Sequence, residues 1–372
     1  MTRVLVLNCG SSSAKYRLYD GERETAHGVV ERVGEPGGPP DHEHALHQVF
    51  SALDRAGLTA VGHRVVHGGE RFTAPTLIDD EVIEGIAALV PLAPLHNRAN
   101  LTGISLARRM LPGVPQVAVF DTAFHATLPP AEASYAIDAG VAAAHGIRRY
   151  GFHGTSHAYV SRRTAELLGR AYAETNTITL HLGNGASACA VAGGRSVATS
   201  MGMSPLAGLV MGTRGGDLDP TVVLHLQRTA GFGTDEVDRL LNEQSGLSGL
   251  CGASDMREVL RRRADGDAAA SLAFDVYCRR ITAYVGAYYA LLGRLDAVTF
   301  TAGVGEHAAP VRAAALAGLE RLGIAVDESR NAAGGDRVIS PPDAAVAVCV
   351  VATDEELEIA RETRAVTAGS AG

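Results

Sequence analysis

The chain has 372 residues, of which 46% are hydrophobic and 20% charged, and its formal net charge is −8. This length exceeds the usual size of a single hydrophobic core, so the sequence predicts two domains. The acidic balance argues against a nucleic-acid partner, and no apolar run approaches the ~20 residues that cross a bilayer, which leaves a small molecule as the expected partner.

The predicted elements alternate between strands and helices. Val4–Gly21 (VLVLNCGSSSAKYRLYDG) predicts a strand, a small hydroxyl-rich turn and a returning strand. The polar segment 20–47, which contains EPGGPP, predicts loops and short strands. Apolar residues recurring at helical spacing predict a long helix over 269–293. Together with further apolar strand runs, this pattern indicates an α/β fold; those runs are 114–120, 177–182, 297–301 and 345–351.

The opening hairpin has a counterpart later in the chain. Without gaps, Leu7–Gly21 (LNCGSSSAKYRLYDG) aligns with Leu180–Gly194 (LHLGNGASACAVAGG), each a strand, a glycine, small polar residues and a second strand. Such residue types also match by chance, so an internal duplication and a coincidence both stay open. In either case, turns rich in backbone N–H and hydroxyl groups are suited to holding phosphate oxygens.

Four polar residues in the first third of the chain are candidates for chemistry. Asn8, at a strand end, could orient a phosphate or a metal-bound water. Lys15, the only lysine, could reach phosphate oxygens, although an ordinary hairpin is the alternative. Arg64 interrupts an apolar strand, so it is either paired inside the fold or directed into a cavity. Asp121 follows a buried strand, where ligands of α/β sheets collect, although helix N-caps also use Asp.

The middle of the chain carries histidine-rich and glycine-rich stretches. His153 and His157 stand four residues apart near a helix start, which suits phosphate contacts or a zinc site, although no H-E-x-x-H glutamate lies between them. Glycines flank Arg214 in MGTRGGD, so its guanidinium could bind an oxyanion, with a solvated surface arginine as the alternative.

Two stretches near the C-terminus complete the candidates. Gly303–Gly305 predicts a G-x-G turn between a strand and a helix; the pattern is too short to support a dinucleotide fold but suits a nucleotide packed against bare backbone. Thr353–Glu356 predicts a helix capping box, which leaves Glu355 available for Mg²⁺ or its waters.

Together these motifs resemble the acetokinase family, within the superfamily that includes actin, hexokinase and the Hsp70 ATPase domains. They run in family order from residue 4 to about residue 365: NCGSSSAK, HRVVHGG, LAPLHN, FDTAFH, YGFHGTSH, HLGNGAS, MGTRGGDLDP, FTAGVGEH and TDEELEIARET. The resemblance implies two domains, each with a duplicated ribonuclease-H-like core, and an active site in the interdomain cleft. It implies an N-terminal domain of 1–125 plus 356–372 and a nucleotide-binding domain of 126–355.

The resemblance also implies roles for individual residues. The catalytic residues would be Arg64, Asp121, His153 and Arg214, with Arg64 also holding the acyl substrate. The acyl pocket would further contain Val66, Leu95, Phe152 and Pro205. ATP or ADP, as co-substrate, would bind Lys15, His181, Leu182, Gly183, Asn184, Gly185, Asp255, Met256, Arg257, Gly303, Val304, Gly305, Glu306 and His307. Mg²⁺, with Mn²⁺ as an alternative, would bind Asn8 and Glu355.

The implied enzyme is a phosphotransferase with a carboxyl group as acceptor. It would transfer a phosphoryl group reversibly and directly, in line, between ATP and acetate, giving acetyl phosphate and ADP. A propionate or mixed short-chain acyl kinase stays open with Val66 as the discriminator, since one methylene is worth only ~1–3 kcal/mol. More distant alternatives are a zinc hydrolase using His153, His157 and Asp121, and a non-catalytic ATP-binding module of the actin type.

One departure from the family touches the nucleotide segment. His307 stands where the family commonly has asparagine, which could shift nucleotide preference. The resemblance implies a homodimer. Independently, the five cysteines are an odd number without a C-x-x-C pair, which favours reduced thiols and a cytoplasmic protein.

Overall fold

The computed structural model describes residues 2–10 and 12–369. The chain divides into two compact units. The first comprises Met1–Ala126, Gly154–Ser156 and Asp354–Gly372, and the second comprises Thr127–His153 and His157–Thr353. The domain limits implied by the resemblance remain a prediction beside this division.

The secondary structure of the described residues alternates strands with helices. The strands are β1 (Arg3–Cys9), β2 (Ser13–Asp20), β3 (Arg23–Glu31), β4 (Leu58–Val65), β5 (Thr76–Leu77), β6 (Gln116–Phe120), β7 (Asn176–Leu182), β8 (Ala186–Ala192), β9 (Arg195–Thr199), β10 (Ala297–Thr301), β11 (Arg337–Val338) and β12 (Ala347–Val350). The helices are α1 (His42–Ala52), α2 (Asp80–Ala88), α3 (Pro94–Met110), α4 (Pro130–Ala133), α5 (Ala139–Ala144), α6 (Gly154–Leu167), α7 (Pro220–Thr229), α8 (Thr234–Glu243), α9 (Gly246–Cys251), α10 (Met256–Ala264), α11 (Ala268–Leu292), α12 (Ala302–His307), α13 (Ala309–Leu316), α14 (Glu328–Asn331) and α15 (Glu355–Gly369). Single 3-10 turns lie at Val90–Leu92, Ala123–Thr127, Tyr172–Glu174 and Glu320–Leu322.

The first unit is built around a six-stranded sheet with the order β3-β2-β1-β4-β6-β5. β1, β2 and β3 form an antiparallel meander, β1, β4 and β6 run parallel, and β5 pairs antiparallel with β6 at the edge. Residues of α1 and α3 cover one face and residues of α15 cover the other, so the central strands are apolar on both faces. The parallel strands therefore end at one edge, where Asn8, Arg64 and Asp121 lie.

The second unit repeats this arrangement in a sheet of order β11-β12-β10-β7-β8-β9. β7, β8 and β9 form the meander, β7, β10 and β12 run parallel, and β11 pairs antiparallel with β12. The two matched segments of the sequence, Leu7–Gly21 and Leu180–Gly194, contain the β1–β2 and β7–β8 hairpins of the two sheets. The predicted α/β class and the internal duplication are thus confirmed by the shared strand order and direction.

Of two local predictions of secondary structure, one was confirmed and one was wrong. The helix predicted over 269–293 is α11 at Ala268–Leu292, capped by the Asp267 side chain. The expectation of loops and short strands over 20–47 was wrong, because this segment contains the nine-residue strand β3 and the start of α1. β3 has mostly exposed side chains at the sheet edge, so its polar composition concealed a strand held by backbone pairing with β2.

The cysteines lie in the interior of the protein. All five cysteines are buried free thiols. Burial raises the pKa of Cys9 and of Cys349 to about 12, which makes them poor thiolate nucleophiles.

Across residues 2–10 and 12–369, the helices lack the combination of length and apolarity that a bilayer crossing requires.

Helix α15 packs closely on the sheet of the first unit because Gly62 of β4 has no side chain. A Cβ atom at Gly62 would overlap Thr363 Oγ1 and lie 2.8 Å from Ile359 Cγ2. Ile359 is completely buried, and Glu355 begins the same helix. Gly62 therefore sets the distance between the sheet and the helix that carries Glu355.

We expect Gly62→Ala to lower the free energy of unfolding by ~1–3 kcal/mol, because the added methyl group forces α15 away from the sheet. Chemical denaturation followed by circular dichroism measures the change. Thr363→Ala removes the atom nearest to the added methyl group. The double variant should therefore lose less free energy of unfolding than the two single variants lose in sum. Wild-type stability in Gly62→Ala would contradict the close packing.

Candidate active site

Three polar side chains converge at the carboxyl ends of the parallel strands in the first unit. Arg64 Nε donates to Asp121 Oδ1 at 3.0 Å and Arg64 Nη2 donates to Asp121 Oδ2 at 2.6 Å, which makes a bidentate ion pair. Arg64 Nη1 lies 3.4 Å from Asn8 Oδ1. The Asp121 side chain is 1% exposed and that of Arg64 21% exposed. Arg64 is thus paired inside the fold while part of its side chain still reaches solvent.

Burial and charge act in opposite directions on this pair. Burial lowers the pKa of the Arg64 guanidinium, but the carboxylates of Asp121 and Glu355 outweigh it and the net pKa is raised. Burial raises the pKa of Asp121, and the guanidinium of Arg64 opposes that shift. Arginine keeps its proton in proteins, and two charge-assisted hydrogen bonds hold Asp121 against it. The pair is therefore an ion pair near neutral pH.

Glu355 adds a second carboxylate to this edge of the first unit. Its Oε2 accepts a hydrogen bond from Thr155 Oγ1 at 3.1 Å, and its charge acts on both Arg64 and Asp121. It stands in the first turn of α15, where a negative charge complements the helix dipole. Glu355, Asp121 and Asn8 thus supply oxygen atoms around one arginine.

The predicted capping box at the start of α15 was wrong by one residue. The side chain of Asp354, not Thr353, accepts from Leu357 N at 3.0 Å. Thr353 N instead donates to Glu306 Oε1 at 3.3 Å. Asp354 suits the cap better because its short carboxylate reaches the exposed N–H groups of the first turn. Glu355 remains outside this cap, as expected.

A second polar cluster surrounds the β7–β8 turn of the second unit. His153 caps α6 in the left-handed conformation, with φ 55°, so it precedes the first helical turn as expected. Its ring stacks on His181 with centroids 4.1 Å apart, and its Nδ1 lies 2.8 Å from Ser187 Oγ. A Cβ at Gly185 would lie 2.8 Å from Arg214 Nη2 and 3.4 Å from His153 Nε2. Glycine therefore lets both side chains approach the turn.

Arg214 is a cation without a carboxylate partner in the described part of the chain. Its Nη1 donates to Pro205 O at 2.6 Å, and no other hydrogen bond of this side chain is formed within residues 2–10 and 12–369. Burial lowers the pKa of Arg214. A partly desolvated guanidinium without a counter-ion favours an anionic ligand. The alternative of a solvated surface arginine does not describe this position.

A cavity of about 460 Å³ lies in the second unit, a size that suits a small ligand. Eight of the predicted nucleotide-binding residues line it: Gly183, Asn184, Asp255, Met256, Arg257, Gly303, Val304 and His307. Ser254, Leu260, Ala308 and Pro310 also line it, and no motif in the sequence had pointed to these four. The cavity thus joins three segments that are far apart in sequence.

Other predicted nucleotide-binding residues lie outside the lining of this cavity. Leu182 is completely buried in β7 and Gly305 is buried in α12, whereas His181 and Gly185 belong to the cluster around His153. Lys15 stands on β2 of the first unit, directly opposite Asn8 in the β1–β2 register.

The expected G-x-G turn was wrong in its local structure. Gly303–Gly305 belongs to the short helix α12, which begins at Ala302 directly after β10. The change of direction occurs at Ala302, whose φ of 63° is left-handed. Gly303 has open space around its missing Cβ, which leaves the backbone of α12 bare toward the cavity it lines.

The predicted acyl-pocket residues are divided between the two units. Val66 is 7% exposed after β4 in the first unit, and Phe152 is 2% exposed in the second. Pro205, also in the second unit, accepts the hydrogen bond of Arg214. Leu95 falls in α3, but its side chain lies outside the described residues.

The zinc-hydrolase alternative has no support from this geometry. His157 Nδ1 lies 2.7 Å from Thr179 Oγ1 and its Nε2 lies 2.8 Å from Ser187 Oγ, so both ring nitrogens are bonded to hydroxyl groups. Among the described residues, His, Cys, Asp and Glu form no cluster of three or more arranged to hold a metal ion. His157 instead fixes Ser187, which also contacts His153.

Partners of the candidate residues were missed by sequence reasoning. Thr155 orients Glu355, and Ser187 contacts both His153 and His157. Thr155 follows Gly154 in the motif YGFHGTSH, so its place at a helix start was the available signal. Ser187 stands in the β7–β8 hairpin that the internal repeat had identified, yet which hydroxyl faces the histidines depends on strand register.

Comparisons with known proteins agree over nearly the whole chain. The family model described as "Acetokinase family" matches residues 35–361. The chain is 59% identical to the acetate kinase of Streptomyces avermitilis, over 98% of this chain and 97% of that protein. It resembles the crystal structure of Porphyromonas gingivalis acetate kinase, with a TM-score of 0.93, 42% identity and coverage of 98% and 100%. A propionate kinase from Francisella tularensis matches with a TM-score of 0.93, 39% identity and the same coverage. This chain belongs to the acetokinase family.

Proposed function

We propose that the protein is an acetate kinase, which reversibly transfers the γ-phosphoryl group of ATP to acetate and releases ADP and acetyl phosphate. The single observation that carries this proposal is the pair of arginines Arg64 and Arg214. Among the described residues, Arg64 donates to Asp121 and Asn8, and Arg214 donates to Pro205, so each guanidinium keeps N–H groups that no protein acceptor uses. Such partly occupied guanidinium groups suit two anionic reactants.

The reaction needs alignment and charge neutralisation more than proton transfer. A carboxylate oxygen of acetate forms a bond to the γ-phosphorus while the bond from that phosphorus to the β-phosphate oxygen breaks, and ADP leaves. Acetate already carries the negative charge of a nucleophile, so Asp121 has no proton to remove. We assign Asp121 to orienting Arg64, because both carboxylate oxygens are bonded to that guanidinium.

The positively charged side chains bind different groups of the two substrates in this proposal. We propose that Arg64 binds the acetate carboxylate and that Arg214 and His153 bind the phosphoryl group during a direct in-line transfer. The nucleotide would bind the cavity of about 460 Å³ in the second unit. His153 and Arg214 both approach the turn at Gly185, where backbone N–H groups can add to the binding of phosphate oxygens. Lys15 would add a mobile positive charge for the same phosphates.

The residues near Arg64 fit a magnesium ion that arrives with the nucleotide. Asn8 and Glu355 would hold it through an amide oxygen and a carboxylate, the hard ligands that Mg²⁺ prefers. When bound, Mg²⁺ neutralises phosphate charge.

A second candidate is a short-chain acyl kinase that also accepts propionate, favoured by the likeness to the Francisella tularensis propionate kinase. Val66 is the discriminating residue, because its methyl groups would crowd a longer acyl chain and a single methylene is worth only ~1–3 kcal/mol. We propose acetate as the preferred substrate with overlap toward propionate. The cytoplasmic location and the homodimer implied by the resemblance remain predictions.

The direct test of the function is chemical trapping of the product. We expect the wild-type protein, with ATP and Mg²⁺, to give acetyl hydroxamate when acetate and hydroxylamine are supplied, because hydroxylamine captures acyl phosphates. Propionate and butyrate run in parallel should give less product with increasing chain length. Reactions without ATP serve as the blank. Failure to form a hydroxamate from any of these carboxylates would defeat the assignment.

We expect Arg64→Lys to lower kcat/KM for acetate by about 10²–10³-fold, because lysine keeps the charge but cannot make the paired bonds to Asp121 and still bind a carboxylate. The KM for ATP should stay near the wild-type value, since the nucleotide cavity belongs to the second unit. Arg108→Lys, at an exposed ion pair with Asp80, is the matched control and should leave both constants unchanged.

We expect Gly303→Leu to raise the KM for ATP by about tenfold or more, an energy of only ~1.4 kcal/mol, because the side chain would occupy the cavity. The space around Gly303 is open and its φ is not left-handed, so the protein should fold normally. Gly286 lies within α11 and also has open space around its missing Cβ, so Gly286→Leu tests the same change at a helical glycine that does not line the cavity. Equal effects on the KM for ATP in both variants would argue against nucleotide binding here.

A further inference from the structure

Two buried asparagines of α3 contact the backbone at the strand ends that carry the candidate site residues. Asn97 is 0% exposed and Asn100 is 3% exposed, and their spacing of three places them on the same helix face. Asn97 ends the motif LAPLHN, in which only Leu95 has been given a role above. Buried amide groups need partners, so their hydrogen bonds show what this motif does.

Asn97 binds both polar groups of one backbone residue. Its Oδ1 accepts from His67 N at 3.2 Å, and its Nδ2 donates to His67 O at 3.1 Å. His67 lies three residues after Arg64 and next to Val66. This segment has just left β4, so it no longer has the ladder hydrogen bonds of the sheet to hold it. Asn97 replaces them.

Asn100 joins two strand ends. Its Oδ1 accepts from Val66 N at 3.1 Å, and its Nδ2 donates to Cys9 O at 2.8 Å. Cys9 follows Asn8, and Val66 lies two residues after Arg64. One amide group therefore spans the ends of β1 and β4, the strands that deliver Asn8 and Arg64.

A third side chain completes the pattern from the neighbouring strand. Gly68 N donates to Thr122 Oγ1 at 3.0 Å, and Thr122 directly follows Asp121. The backbone N–H groups of three consecutive residues, 66 to 68, thus each donate to a different side chain. Such a complete set fixes the path of the chain after Arg64 with respect to both Asn8 and Asp121.

We propose that Asn97 and Asn100 are positioning residues, which hold the segment after β4 so that Arg64 faces Asn8 and Val66 keeps its place in the acyl pocket. This inference rests on the proposed function, since it assigns these residues to the acetate side of that reaction. They contact no reacting atom. Their effect is transmitted through backbone hydrogen bonds to Val66, His67 and Cys9.

The first test compares kinetic constants. We expect Asn100→Ala to lower kcat/KM for acetate by about 10²-fold, because small displacements of a catalytic group carry costs of that size. The KM for ATP should not change, and the preference for acetate over propionate should decrease as Val66 loses its anchor. Asn97→Ala should act in the same direction. A purely structural role would reduce the amount of folded enzyme without changing the preference.

Gln116→Leu is the matched control. Gln116 is a buried amide of β6 in the same unit, 4% exposed, whose Oε1 lies 2.8 Å from His63 Nε2. Among the described residues, its side chain forms a hydrogen bond with His63 and with no candidate site residue. We expect this variant to lose stability, measured by thermal unfolding, while its kcat/KM for acetate remains that of wild type. An equal kinetic loss in Gln116→Leu would overturn the positioning role.

A second variant, Asn100→Asp, keeps the size of the side chain and tests the hydrogen bonds directly. A protonated carboxyl group has one donor and one acceptor, like the amide, and burial raises the pKa of such a group. Below that pKa the acid can donate to Cys9 O and accept from Val66 N; above it, the donor is lost. We therefore expect its activity, divided by that of wild type at the same pH, to rise as the pH falls.

The same ratio for Asn100→Ala should stay flat, because alanine has neither a donor nor an acceptor. Asp121 and the other titratable groups near the segment are present in all the proteins, so their own pH dependence cancels in the ratio. A wild-type kcat/KM in both Asn100 variants, or a flat ratio for Asn100→Asp, would overturn this inference. Wild-type protein that forms no acyl hydroxamate would instead defeat the proposed function, so the two failures are distinguishable.

Discussion

The bidentate ion pair between Arg64 and Asp121 is the interaction on which the polar edge of the first unit depends. A buried carboxylate is tolerated only when a charge and hydrogen bonds compensate it, and the guanidinium of Arg64 supplies both. The pairing occupies Nε and Nη2 and leaves Nη1 directed toward Asn8. The orientation of Arg64 is therefore set by the protein before any ligand binds. A cation fixed in this way is preorganised to stabilise a negative charge.

The geometry of that ion pair depends on other elements of the first unit. Arg64 and Asp121 come from neighbouring parallel strands, so the pair keeps its geometry only while the register of β4 and β6 is maintained. Helix α3 ties the segment after β4 through its asparagines, and α15 packs on the opposite face through the missing side chain of Gly62. The same helix α15 begins with Glu355. Apolar packing and the placement of charge are thus carried by the same elements.

The second unit has the same topology but a different arrangement of charge. Its hairpin turn is bare at Gly183 and Gly185, which allows Arg214 and His153 to come close to the backbone. A guanidinium held by a carbonyl rather than a carboxylate retains its full attraction for an anion. The first unit neutralises its arginine with Asp121, whereas the second leaves Arg214 without a counter-ion among the described residues. In the proposed reaction, this contrast suits a small carboxylate in the first unit and a highly charged phosphate in the second.

The sequence by itself determined the α/β class, the repeated hairpin and the strand ends that carry Asn8, Arg64 and Asp121, because apolar periodicity and chain direction are local properties. It did not determine β3, whose exposed polar residues are held by pairing with β2, nor the cap of α15, where Asp354 acts in place of Thr353. Only the tertiary structure decided that Arg64 pairs with Asp121, that Thr155 orients Glu355, and that Asn97 and Asn100 reach the strand ends. These contacts join residues far apart in the chain, and which side chain meets which depends on strand register and helix packing, neither of which any local pattern encodes.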